Sequence, residues 1–293
     1  ILADELWELA EESRNEIKKA RKSIDDKLEE DTGEYTYTDL HRVDRFIYDV
    51  EENANKVEKG RTLARSGFRV LMGLDETDPV LLAEDRLRPV RVDIQELQTY
   101  TGRAGGRADI RQLGAGIGIR DAQTQAARSD LFPQIFLGGG FKFGLALNRD
   151  DQNNPFLKDD FNFTELGAVI GFKQSLAFAG TSAKVKKARL EKRKLEYLSR
   201  LARKGAELEI EKIYRTLREA EANVSAAKKA RKATRRWFVS ARDGFNAGLE
   251  DAGELIDAVK EYGVIRAKYF NAVFEYNRAW AALQIATGQS ILQ

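Results

Sequence analysis

GFNAGLEDAGELIDAVKEYGVIRAKYFNAVFEYNRAWAALQIATG, residues 244–288, decides how this chain is built. Large side chains recur every seven positions at Leu255, Tyr262, Tyr269, Tyr276 and Leu283. Three residues beyond each stand Ala258, Ile265, Ala272, Ala279 and Ala286, all small but one. A heptad sustained this long predicts a helix packed lengthwise against other helices. Gly248 and Gly288 bracket it, forty residues apart, and the same interval separates Gly33 from Gly73. The earlier interval has its own seam: Leu40, Val43, Ile47, Val50, Ala54, Val57, Ala64, Phe68 and Leu71. One long-helix unit is therefore present twice.

Composition narrows the possible chemistry. Of 293 residues a third are charged, yet the net charge is only +2, which supplies no bulk attraction to nucleic acid. With no cysteine a thiolate metal site cannot be assembled, and a single histidine, His41, leaves a zinc site or a histidine-based triad close to excluded. No apolar run approaches the roughly 20 residues of a membrane helix. No nucleophile–base pair suggests an enzyme, and no cofactor is expected. GAGIGI at 114–119 has the look of a dinucleotide loop, but it follows helical RADIRQL and lacks the final glycine. The basic clusters 184–194 and 228–236 are interspersed with Leu, Ala and Glu and read as solvated helix faces. His41, beside Asp39, reads as a surface residue.

Residues 1–30 have helical spacing, and a second helix should run from about Thr38 to Met72 and stop at Gly73. After a polar connection, another helix is expected from Pro89 to Asp130, weakened at Gly102–Gly106. Then the period becomes two. Ile135, Leu137, Gly139, Phe141, Phe143, Leu145 and Leu147 alternate with Gly138, Gly140, Lys142, Gly144, Ala146 and Asn148. A second run sets Leu166, Ala168, Ile170, Phe172 and Leu176 against Glu165, Gly167, Gly171, Lys173 and Ser175. Two such strands fit a transmembrane barrel hairpin with lipid on the apolar side and water on the other. Leu137, Phe141, Phe143, Ile170 and Phe172 should face lipid, and Lys142, Glu165 and Lys173 the lumen. From Gly180 to about Ala241 the chain should be one helix, roughly 90 Å of it.

The order of these elements resembles the TolC-type outer-membrane efflux proteins. RADIRQLGAGIGIRDAQTQAARSDLFPQIFLGGGF (107–141) resembles the family's connector helix entering a barrel strand through Leu131-Phe132-Pro133. ARSGFRVLMG (64–73) and AWAALQIATG (279–288) resemble its repeat ends, and FNAGLEDAGELIDA its periplasmic tip. The resemblance implies a mainly α protomer with a β-hairpin: long antiparallel helical hairpins of an α-barrel, plus two strands of a trimeric transmembrane β-barrel. The expected division is 1–73 first-repeat helices, 74–130 connector and equatorial helix, 131–179 hairpin, and 180–293 second-repeat helices. The family has two hairpins in each chain and this sequence one. Three copies would supply six strands, fewer than the roughly eight of the smallest barrels, so an N-terminal hairpin with its flanking helices is expected to be lacking.

By that resemblance the chain is a passive exit duct in a Gram-negative outer membrane, reaching into the periplasm. Its partners would be two further copies, a periplasmic adaptor (membrane fusion) protein, an inner-membrane transporter and outer-membrane lipid. Glu254 and Asp257 would line the periplasmic gate as carboxylate rings that favour cations. Gly33, Gly248 and Leu249 would dock the adaptor. In the family a Tyr and an Arg latch onto a Thr-Asp pair; here the pair is Thr38-Asp39, but Phe245 and Glu250 replace its partners. Glu250 placed near Asp39 would exchange attraction for repulsion. The competing expectation is a soluble coiled-coil scaffold without channel activity.

Overall fold

A computed structural model describes residues 1–30, 35–150 and 152–289. The described chain is mainly helical: α1 (Leu2–Glu29), α2 (Tyr37–Met72), α3 (Leu97–Thr101), α4 (Ala108–Ser129), α5 (Phe178–Asn246) and α6 (Ala252–Ala286). Its sheet is a single antiparallel pair, β1 (Gln134–Gly144) and β2 (Phe163–Lys173). Two compact units are present, one of residues 1–104 with 206–293, the other of residues 105–205.

In the first unit, α1 presents Ile17, Ala20 and Ile24 at three- and four-residue spacing to Leu40 and Val43 of α2. Phe238 and Phe245 of α5 and Leu255 and Val259 of α6 complete the cluster. Ion pairs run along the α1–α2 edge: Arg21 with Asp44 at 2.7 Å, and Asp4 with Arg61 at 2.8 Å and Arg65 at 2.9 Å. The α2 seam is not buried along its whole length. It is buried from Leu40 to Ala54, whereas Ala64 is exposed and Leu71 is 86% exposed.

The two repeats are delimited by the same local chemistry. Gly73, Gly248 and Gly288 all have positive φ, near 70°. After each, the next amide reaches back over the glycine to a helical carbonyl: Leu74 to Arg69, Leu249 to Gly244, Gln289 to Gln284. These are Schellman ends, which a left-handed glycine adopts without a Cβ clash. At the other end, Thr36 caps α2 by accepting from the Asp39 amide, and Asp251 caps α6 by accepting from Glu254. The interval from Thr36 to Asp251 equals that from Gly73 to Gly288, so the duplication extends to both caps.

Two elements differ from the sequence pattern. Along α6, Leu255, Ala258, Tyr276, Ala279, Leu283 and Ala286 are buried as the heptad requires, but Tyr262, Ile265, Tyr269 and Ala272 are only half-buried. Phe270 and Val273 take their place. A straight helix drifts by about 20° per heptad, which moves the buried stripe. Pro89 to Glu96 is not helical. Side chains hold the backbone where it begins: Asn277 accepts from the Val90 amide at 2.9 Å and donates to the Arg88 carbonyl at 2.8 Å, and just before it Glu5 accepts from the Leu87 amide at 3.0 Å. The glycine-rich break is real, with a turn of 3₁₀ helix at Ala104–Gly106.

In the second unit α4 lies against the first turns of α5, joined by Arg120–Glu191 at 3.0 Å and Lys192–Asp121 at 2.5 Å. The glycines of GAGIGI lie within α4. A Cβ on Gly116 would approach Leu195 to 3.2 Å, so close helix packing accounts for that residue.

Candidate functional site

The α5–α6 turn is built from the two caps just described. Residues 247–250 are exposed, and Leu249 projects with 83% of its surface free. Gly248 supplies the left-handed bend that lets the Leu249 amide reach Gly244 at 2.8 Å. Of the sequence-expected tip residues, Gly248 and Leu249 are therefore presented together. Gly33 lies outside the described residues.

Glu254 and Asp257 occupy the first two turns of α6, three residues apart and on adjacent parts of one face. Their surroundings differ. Glu254 is half-buried and accepts a 2.6 Å hydrogen bond from the Trp237 indole of α5, while Asp257 is exposed. Trp237 thus fixes the Glu254 carboxylate. It was not legible as a site residue, because nothing in its local pattern signals a partner across the turn.

The four latch positions share no hydrogen bond or ion pair with one another among the described residues. Thr38 is exposed on the first turn of α2. The Asp39 carboxylate accepts from the Thr36 amide at 3.0 Å and the Thr36 hydroxyl at 2.7 Å, with Arg42 at 3.7 Å. Asp39 therefore serves its own helix cap. Glu250 folds over Gly244, where a Cβ would fall 2.5 Å from the Glu250 Cγ. Phe245 is almost wholly buried, its ring 5.1 Å from that of Tyr35. The Tyr35 hydroxyl donates to the Phe245 carbonyl at 2.9 Å. A tyrosine does join the two repeats here, but it belongs to the first repeat and bonds to backbone. Tyr35 follows Gly33 as Glu250 follows Gly248, and that equivalence was the available signal.

The hairpin register sets Ile135 opposite Phe172, Leu137 opposite Ile170, and Phe141 opposite Leu166, with Phe143 opposite Thr164. Leu137, Phe141, Phe143, Ile170 and Phe172 thus share one face, and all are exposed. Lys142 opposes Glu165 and Gln134 opposes Lys173 on the other. That second face is less uniformly small or polar than its sequence suggested. It also carries Phe136 and Val169, and Phe136 covers Gly171, where a Cβ would clash at 2.6 Å. β1 ends at Gly144, so Leu145 and Leu147 lie outside the pairing. In the connecting loop, the backbone amides of Phe161 and Asn162 hold the Asp159 carboxyl below its usual range. No helix among the described residues is long and apolar enough to cross a membrane, a statement that does not bear on strands.

The family model described as outer membrane efflux protein matches residues 104–289. Solved structures with the same fold include CusC, at 16% identity and a TM-score of 0.77 over 99% of this chain and 65% of that one. VceC from Vibrio cholerae aligns with a TM-score of 0.74 at 14% identity, over 99% of this chain and 67% of its own. The outer-membrane channel OprN aligns at 0.75 and 18%, covering 99% and 63%. The chain therefore spans about two thirds of the length of these structures. No curated protein matches it by sequence.

Proposed function

Because the chain belongs to the outer membrane efflux protein family, we propose that it forms the outer-membrane exit duct of a tripartite efflux or type I secretion machine. The observation that carries this reading is the hairpin. One of its faces is an exposed surface, apolar across both strands except at Thr164, and both of its ends lead into helices after four residues. Such a face is at home in hydrocarbon, and only a closed barrel satisfies strand edges there. A duct with no energy source of its own requires an inner-membrane transporter, and an adaptor gripping the exposed α5–α6 turn would couple the two. Three copies around an axis would gather Glu254 and Asp257 into rings of carboxylates at the periplasmic entrance. Family membership weighs against the soluble scaffold.

The test is electrical. The full-length protein in a planar bilayer should conduct, with divalent cations added on the periplasmic side blocking the current. Glu254→Ala/Asp257→Ala should relieve that block by about tenfold in cation concentration, as removal of a cation-binding ring requires. A protein that never conducts overturns the duct; block that survives the double substitution removes these carboxylates from the gate.

A further inference from the structure

The basic cluster that begins α5 is left unused by the function above. Lys184, Lys186, Lys187, Arg189, Arg193 and Lys194 are all exposed, and none is ion-paired among the described residues. The cluster's remaining cation, Lys192, is held by Asp121. Six free cations within eleven residues repel one another, and a helix has no need of them for its own stability. Their position is specific. α5 begins four residues after β2 ends, so Lys184 lies about 9 Å along the helix from its start.

The exposed stripe of α5 changes character at this point. Further along it is apolar, with Tyr197, Leu201 and Leu208 at helical seam spacing. Toward the hairpin the same stripe becomes an open groove lined by Ala183, Lys186, Lys187, Leu190, Glu191 and Lys194, and the Glu191 carboxylate is already engaged by Arg120. A neutral apolar partner would leave these ammonium groups uncompensated. An anionic amphiphile fits instead, its charge met by the ammonium groups and its first carbons by Leu190.

We propose that the first four turns of α5 are a docking surface for anionic phospholipid headgroups at the inner rim of the membrane. This rests on the reading of the hairpin as membrane-inserted. Basic clusters immediately beside a membrane segment bind acidic lipids through additive attraction that fades within a Debye length. The groups nearest the hairpin, Lys184 to Arg189, contribute most. The interaction anchors the depth of the protein in the bilayer and makes it dependent on leaflet composition.

The experiment titrates full-length detergent-solubilised protein with dihexanoyl phosphatidylglycerol, dihexanoyl phosphatidylcholine and glycerol phosphate, reading dissociation constants. Phosphatidylglycerol should bind at least about tenfold more tightly than the other two. Lys186→Glu/Lys187→Glu/Arg189→Glu should weaken it by a further factor of at least about ten, and the Gln triple variant by a smaller factor in the same direction. Lys228→Glu/Lys229→Glu/Lys232→Glu, the same charge change elsewhere on α5, should leave it unaltered. Helical circular dichroism of each variant separates lost binding from lost folding. Equal affinity for the two lipids, equal effects of the two Glu triples, or tight binding of glycerol phosphate alone overturns the proposal. Flotation of the unsubstituted protein with phosphatidylcholine vesicles reports the membrane reading separately. Failure to float removes that reading, whereas flotation without lipid preference removes only this inference.

Discussion

Asp4 is one residue through which α1 holds α2, and its chemistry makes the joint sensitive to acid. Burial alone would raise its pKa, but the hydrogen bond from Arg61 and the charge of Arg65 outweigh burial and hold the carboxyl below its usual range. A carboxyl whose folded pKa lies below its unfolded value of about 3.9 adds stability above that pH. The contribution is lost as pH falls through the folded value. Asp4→Asn should therefore cost about 0.5–1 kcal/mol near neutral pH, discounted for partial exposure. The difference from the unsubstituted protein should start to narrow below about pH 4 and close below the folded value. Chemical denaturation at pH 7 and pH 3 measures it, and a cost that is the same at both would show that the charge is not the cause. Single-residue pairings of this kind were the least legible feature of the sequence. Tyr35 with Phe245, and Trp237 with Glu254, join residues of different segments, and no local period marks such a pair.

Elements were far more legible, because their signals are local. Glycine after a seam predicted the end of α2 at Gly73, and period two predicted the hairpin faces. The departure at Pro89–Glu96 has a non-local cause: its residues are compatible with a helix, but Asn277, distant in sequence, takes the Val90 amide. The hairpin provides the sharpest test at this scale. Phe141 and Lys142 are neighbours on opposite faces, paired with Leu166 and Glu165. At mid-bilayer a lipid-facing Arg costs roughly 2–4 kcal/mol. Phe141→Arg should sharply reduce the heat-modifiable, folded band of the full-length protein on a cold gel, whereas Lys142→Gln should leave it near normal. Equal effects at the two positions would mean that the faces are not lipid and lumen. The caps make a second prediction. Thr36→Ala and Asp251→Ala should each destabilise by about 1 kcal/mol in chemical denaturation, and the loss of only one would contradict their equivalence.

At the scale of the molecule, what the protomer leaves uncovered is as informative as what it buries. Tyr197, Leu201 and Leu208 are each more than 60% exposed along one stripe of α5. Their spacing is that of a coiled-coil seam with no partner among the described residues. Leaving a Leu in water instead of burying it forgoes about 1.5–3 kcal/mol, so a neighbouring copy is the natural cover if the duct assembles as proposed. Family and fold class were readable because repeats, caps and alternation are properties of one chain. The gate belongs to the proposed trimer, whose axis would place residues of different copies together, and no single sequence records that geometry. Leu201→Asp/Leu208→Asp tests the seam directly. Both side chains are already exposed in the protomer, so helical content by circular dichroism should stay within a few per cent of normal, about what a surface substitution allows. The same variant should shift sedimentation in detergent from trimer toward monomer, since burying two unpaired carboxylates per interface costs several kcal/mol. A variant that remains trimeric would assign the cover of this stripe to something other than a second copy of α5's surroundings. A variant that loses its helicity would show that the stripe is held within the protomer after all.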